Sequence, residues 1–226
     1  MRQVCLNSAR EAIHSAIYMD FRSLALEEFL RAGGEIFVVA GAVRDAIALH
    51  YEGEGSGEPR DYDIAVAGVG RRLFDEVLSS LGRRNRHGGY LLKNPGFADW
   101  DVWLLEETIG LRKTGAAPNI ENALRSFNLD CNAIALNLRT GLFLDAGAIE
   151  AIRKKRLGFA EGAICHSADT FAAKALLLHL RSDCVLSSDL RQFIADNLRL
   201  PALFHEMKKV FPNSAVLPRL SNSYSR

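Results

Sequence analysis

Cysteine is sparse in this chain, four in 226 residues. Cys5, Cys131, Cys165 and Cys184 form no C-x-x-C pair and have no histidine at zinc-finger spacing, which excludes a disulfide miniprotein and favours free thiols in a reducing compartment. No apolar run approaches the roughly 18 residues needed to span a bilayer, so the expectation is a cytoplasmic protein with no membrane partner. An excess of one charge is lacking too: 28 Lys and Arg against 27 Asp and Glu leave a formal net charge of +1. No global field draws the chain to nucleic acid or to an anionic surface, and any polyanion must be gripped locally. Internal repeats, low-complexity tracts, a Walker-A loop, a Ser-His-Asp set and a dinucleotide fingerprint are missing as well.

With 48% apolar and 24% charged residues, the chain can bury one good core and a small second domain. Ile13, Ile17, Phe21 and Leu24 fall on one helical face, which predicts a helix running through Leu26–Leu30 to Gly33-Gly34. A buried strand follows at Ile36–Val39, then Gly41 turns the chain into a helix over about Val43–His50, ended by the turn-rich run 52–59. Asp61–Val66 alternates at first and then becomes apolar, as a strand does when it runs from a site into a core. Next come a helix near Arg71–Leu81, strands at Tyr90–Leu92 and Trp100–Leu104 joined by a turn at Asn94-Pro95-Gly96, a mobile loop over Gly110–Pro118, and a strand pair at Cys131–Leu138 and Leu142–Leu144. From Ile149 onward the patterns are helical, with Phe171, Ala175 and Leu178 on one face and breaks at Pro201 and Pro212. The residues thus describe a mixed α/β domain followed by a small helical one.

Asp61 and Asp63 stand two apart at the start of a strand, so both project to one face and can grip cations between them. Asp101, in the apolar stretch Trp100-Asp-Val-Trp103, is an acid in an unfavourable setting unless it is partnered. If the two strands are neighbours, three carboxylates converge, and a divalent metal is the usual way to neutralise them. Upstream, Gly41 opens a helix N-terminus suited to a phosphate, and Arg44 one turn later adds a forked donor. An isolated D-x-D is most often a solvated strand end, and Arg44 with Asp45 most often a surface pair; the order of the parts is what favours phosphoryl chemistry on a metal-bound nucleotide.

Val39-Ala-Gly-Ala-Val-Arg-Asp45 followed by Pro59-Arg-Asp-Tyr-Asp-Ile-Ala65 resembles the head-domain signature of the tRNA nucleotidyltransferase and bacterial poly(A) polymerase family, within the polymerase-β-like nucleotidyltransferase superfamily. Arg86-His-Gly-Gly89, Trp100-Asp-Val102, Asn132-Ala-Ile-Ala135 and Gly141-Leu-Phe-Leu-Asp145 extend the resemblance over roughly residues 35 to 160. It implies an α+β fold, with a helical extension over 1–34, a head of mixed sheet flanked by helices over 35–148, and a short neck-like helical domain over 149–226. It also implies transfer of a nucleoside monophosphate from an NTP, with release of pyrophosphate, to an acceptor hydroxyl such as an RNA 3′ end. Gly41, Ala42 and Arg44 would hold the triphosphate; Asp61, Asp63 and Asp101 would bind two Mg²⁺ ions, with Asp101 helping to activate the acceptor hydroxyl.

The chain departs from the family pattern in three places. Ala40-Gly41 replaces a pair of glycines, Ser126-Phe-Asn-Leu-Asp-Cys-Asn132 replaces an Arg-Arg-Asp-Phe-Thr-x-Asn run unless Arg125 substitutes, and Ala168-Asp-Thr-Phe-Ala172 lacks the arginine of the base-reading element. These departures leave open a transferase acting on a protein or small molecule, and a catalytically silent nucleotide- or RNA-binding module. The basic clusters Arg83–Arg86 and Arg153–Arg156 could hold an acceptor backbone, although short charge runs are more often solvated.

Overall fold

A computed structural model gives the fold and describes residues 2–4, 6–52, 59–165 and 167–210. The turn-rich run at 53–58, Cys5, His166 and the break expected at Pro212 lie outside the described residues. By its contacts the chain divides into two compact units, Met1–Lys154 with Ala160–Ile164, and Lys155–Phe159 with Cys165–Arg226. Residues 1–34 fall within the first unit, and the division comes after Lys154.

The first unit is α+β. Its elements are β1 (Arg2–Val4), α1 (Asn7–Tyr18), α2 (Ser23–Arg31), β2 (Glu35–Val39), α3 (Gly41–Glu52), β3 (Asp61–Ala67), α4 (Arg71–Leu78), β4 (Arg83–Arg84), β5 (Tyr90–Leu92), β6 (Asp99–Leu104), α5 (Ile109–Thr114), α6 (Ile120–Arg125), β7 (Ile134–Asn137), β8 (Phe143–Asp145) and α7 (Ala148–Arg153). The strands form one sheet in the order β1-β8-β7-β2-β3-β6-β5-β4. Every pairing is antiparallel except that of β3 with β6. Alternation along β3 and β6 then gives the sheet two different faces. Tyr62, Ile64, Val66, Trp100, Val102 and Leu104 are buried on one face, where Phe74 of α4 lies between Phe29 and Tyr90 with ring centroids 5.7 and 5.8 Å away. On the other face, Phe37, Val39, Ala65 and Ala135 pack with Leu111 of α5 and Leu124 of α6.

The single helix expected over 13–30 is two helices, broken at 19–22. The cause is a tertiary contact. Asp20 and Arg22 are buried at 2% and 1% exposure; Arg22 pairs with Asp20, donates to the Leu92 and Ala98 carbonyls at 2.6 Å each, and lies 4.5 Å over the Trp100 ring. Turning these two side chains inward sends Phe21 and Leu24 to the surface, while Ile13 and Ile17 stay buried. The mobile loop expected over Gly110–Pro118 begins with α5, because Gly110 and Leu111 are buried against the sheet and the Thr114 hydroxyl donates back to the Gly110 carbonyl at 2.9 Å.

The second unit contains β9 (Arg156–Leu157), α8 (Ala168–Ser182), β10 (Val185–Leu186), α9 (Ser188–Asn197) and α10 (Leu200–Val210), with β9 and β10 as a short parallel pair that helical periodicity alone did not foretell. Phe159, Phe171 and Phe193 meet at ring separations of 5.4 to 5.8 Å and form its aromatic centre. The break expected at Pro201 falls just before it, between α9 and α10, and Pro201 sits in the first turn of α10, where its missing N–H has no helical partner to lose. Among the described residues, no helix is long and apolar enough to cross a membrane.

Candidate active site

The parallel pairing of β3 with β6 sets Asp61 beside Asp99 and Asp63 beside Asp101. Paired positions share a face, so four carboxylates form a two-by-two patch at the N-terminal ends of the two strands, on the face covered farther along by α5 and α6. Asp99 was not anticipated, although Asp99-Trp-Asp101 repeats the D-x-D spacing of Asp61-Tyr-Asp63. The Asp61 side chain is 45% exposed and accepts from Arg60 Nη2 at 2.5 Å. Asp101 is half-buried and accepts from Asn85 Nδ2 at 2.9 Å. Burial first, and then the charge of Asp61, push the Asp101 carboxyl above the ordinary carboxylate range against the opposing pull of Asn85. Lys93 lies 3.7 Å from Asp99.

Because β2 runs antiparallel to β3, its last residue, Val39, lies opposite Asp63, and the chain leaves the sheet there through Ala40 into α3. Ala40 adopts φ +56, accepts the first helical bond from Arg44 N at 2.8 Å and donates to Ile134 O at 3.1 Å. Gly41 is not among the glycines with positive φ. The left-handed conformation thus falls on the alanine of the Ala40-Gly41 pair, so the backbone freedom lost by replacing the first glycine is freedom the turn uses. A Cβ on Gly41 would meet Arg44 Nη2 at 3.8 Å, an ordinary contact, which places the bare α-carbon beside the guanidinium. Arg44 is mostly buried, 15% exposed; Nε and Nη2 reach Asp45 Oδ1 at 2.8 and 2.7 Å, and Nη1 reaches Asn132 Oδ1 at 2.7 Å. Desolvation opposes its charge, but Asp45 and then Cys131 outweigh it and hold Arg44 above its usual range. The Arg44–Asp45 pair is therefore built into the fold and oriented by Asn132, a residue 88 positions away.

Carboxylate oxygens are the hard donors that Mg²⁺ takes, and four aspartates set on one face fit a divalent cation in kind. With Asp61 on Arg60 and Asp101 on Asn85, however, no three Asp, Glu, His or Cys side chains among the described residues stand together as a ready ligand cluster. Arg125 does not stand free for a nucleotide: it pairs with Glu121 and Glu161 at 3.0 and 2.7 Å. Asp169, in the degenerate base-reading element on α8, accepts from Ser167 and from Thr170 N, which hold its carboxyl below the ordinary range. In the basic clusters, Arg84 faces Asp75 at 3.9 Å, Arg86 donates to His87 at 3.0 Å, and Lys154 pairs with Glu150 at 2.6 Å, whereas Arg83 is exposed. Two cavities of about 750 and 460 Å³ in the first unit are lined by neither Arg44 nor the three predicted aspartates.

The chain matches no family model and no curated protein. It does match solved structures. The Thermotoga maritima CCA-adding enzyme complexed with tRNA is similar with a TM-score of 0.60 and 18% identity over 86% of this chain and 47% of that one. The apo form II of a CCA-adding enzyme gives 0.62 and 15% over 96% and 54%, and a tRNA-processing enzyme in apo form I gives 0.58 and 17% over 99% and 58%. The chain spans about half the length of these enzymes. At such identities the likeness is one of fold: the resemblance to the tRNA nucleotidyltransferase head holds in three dimensions, as an α+β fold of mixed sheet flanked by helices, followed by a small C-terminal domain made mostly of helices.

Proposed function

We propose that this protein is a metal-dependent nucleotidyltransferase that moves NMP from an NTP to an acceptor hydroxyl, with an RNA 3′ end as the leading acceptor class. The observation that carries the reading is the register that puts Asp63 next to both Asp101 and the end of β2, so that carboxylates and the helix N-terminus of α3 meet at one place. Solved structures of this fold with tRNA, ATP and CTP support it. Asp61, Asp63 and Asp101 would hold two Mg²⁺ ions. When bound, these would neutralise the triphosphate and the charge that develops at the α-phosphorus.

The N–H groups opening α3, at Gly41 and Ala42, and the Arg44 guanidinium would bind and orient the phosphates, with Asp45 and Asn132 keeping the guanidinium planar to them. Asp101, beside the metal, would help to take the proton from the attacking hydroxyl. The oxygen–phosphorus bond to the acceptor forms as the bond to the β-phosphate breaks, and pyrophosphate leaves. Arg60 must give up Asp61 for the site to assemble. Exposed Arg83 lies in one lateral row with Leu91, Asp101 and Asp63 and would meet the acceptor backbone.

Each labelled NTP, offered with Mg²⁺ in the presence and absence of total RNA, tests the reading against an Asp61→Ala/Asp63→Ala variant. Label on RNA that the variant fails to produce supports it. Label on protein or a small product favours the second acceptor class, to which the engagement of Arg125 by two glutamates lends weight because it removes a candidate for base selection. Nucleotide binding with no transfer to any acceptor leaves a silent module and refutes the enzyme.

A further inference from the structure

Between β4 and β5 the chain makes a tight turn at Asn85–Gly89 that packs against β6. Asn85 N donates to Gly89 O at 2.8 Å, and Gly88 N to Asn85 O at 3.2 Å. The side-chain oxygen of Asn85 accepts from His87 N at 2.9 Å and from Gly89 N at 3.1 Å. With Oδ1 committed to two backbone donors, the orientation of the amide is fixed by the network, and Nδ2 is delivered to Asp101 Oδ1 at 2.9 Å. The turn is clamped from both sides. A Cβ on Gly89 would meet Val102 O at 2.6 Å and Asn85 Nδ2 at 3.2 Å. Behind it, Arg71 Nη1 donates to Gly88 O at 2.9 Å while the same guanidinium pairs with Glu107 and Asp75.

An aspartate could accept both turn hydrogen bonds equally well and is common in such turns, yet it would set a second negative group against Asp101. Asparagine serves the turn with one end and Asp101 with the other. Its bond occupies Oδ1 and leaves Asp101 Oδ2 with no hydrogen-bond partner among the described residues. We infer that Asn85 is a positioning residue, which holds the Asp101 carboxylate by one oxygen so that the other is presented to the cation and to the acceptor hydroxyl. The inference rests on the nucleotidyltransferase reading.

Two variants separate this role from that of the turn. Asn85→Ser retains an acceptor for the turn but has no donor that reaches Asp101, and Asn85→Asp retains the acceptor of both turn bonds and replaces the donor with a carboxylate oxygen. For Asn85→Ser the expected results are a thermal midpoint within about 2–4 °C of wild type, kcat lower by about 10–100-fold with KM for the NTP changed less than about twofold, and Mn²⁺ affinity of the nucleotide-free protein, read by electron paramagnetic resonance, weaker by about 10–100-fold. Asn85→Asp is expected to lower the thermal midpoint, because two carboxylates would face each other at hydrogen-bond range, and to leave kcat low. Recovery of kcat in Asn85→Asp, or loss of kcat only in proportion to thermal stability, would assign Asn85 to the turn alone and overturn the inference. Wild-type transfer and Mn²⁺ binding with both unchanged in Asn85→Ser would sink this inference and spare the parent reading. Wild-type protein that neither binds Mn²⁺ nor transfers a nucleotide sinks both.

Discussion

The turn that leads from β2 into α3 separates a stability effect from a binding effect at adjacent residues. Ala40 holds φ +56, a region in which a Cβ crowds the backbone and which costs an alanine about 1–2 kcal/mol. Replacing it with glycine removes that term, but adds about 0.5–1 kcal/mol of chain entropy lost on folding. The net expectation for Ala40→Gly is a gain of about 0.5–1 kcal/mol, or a rise of about 1–4 °C in thermal midpoint for a chain of this size. Gly41 is the converse. Its conformation needs no glycine, and an added methyl would meet only Arg44 Nη2 at 3.8 Å. Gly41→Ala should therefore leave the midpoint unchanged or slightly raised, since glycine is a poor helix former. On the proposed phosphate-binding role of this turn, the same methyl would stand between a phosphate and the helix N-terminus, so affinity for NTP should fall. Differential scanning calorimetry and equilibrium nucleotide titration of the two variants side by side supply the check. A lower midpoint in Ala40→Gly, or a large destabilisation with unaltered NTP affinity in Gly41→Ala, would refute the assignment of strain to position 40 and of phosphate contact to position 41.

Arg22→Ala leaves Asp20 buried and unpaired, and should destabilise the protein by about 3–5 kcal/mol in chemical denaturation, whereas a loss under 1 kcal/mol would show the pair to be dispensable. In the wild type, burial raises the Asp20 carboxyl but the hydrogen bonds and charge of Arg22 outweigh it, so its folded pKa lies below the ordinary value. That contribution is present above the ordinary value near pH 4 and is lost as pH falls through the folded value; the variant, whose buried Asp20 lacks its partner, should instead gain stability as pH falls from 7 to 4. Asn132→Ala removes the acceptor that orients Arg44 Nη1 and should raise KM for the NTP roughly tenfold, about 1.4 kcal/mol, with a normal fold by circular dichroism; an unchanged KM would mean that Asp45 alone suffices.

Much of the domain was legible because its signals are local. A β-branched run at Ile36–Val39, period-two alternation at Asp61–Val66, and the glycine that opens a helix each declare themselves within a few residues. The break at 19–22 was not, since the apolar spacing across it continues a helix and only the carbonyls of Leu92 and Ala98 and the Trp100 ring draw Arg22 inward. The helix at Ile109–Thr114 was hidden by its glycine, which is there because Ser126 leaves no room: a Cβ at Gly110 would lie 2.0 Å from the hydroxyl. At the site, Asn85 and Asn132 carry no pattern of their own and acquire a role through the side chains they reach.

Residue order by itself determined which side chains are candidates for phosphoryl chemistry and that Asp61 and Asp63 share a face, because side-chain alternation is fixed by the strand. It could not determine that Asp101 lies beside Asp63, that Ala40 bears the left-handed turn, or that Arg60 engages Asp61 and Asn85 engages Asp101. Those are matters of strand register and of contacts between distant segments, which the packing of the whole sheet decides and no local periodicity encodes.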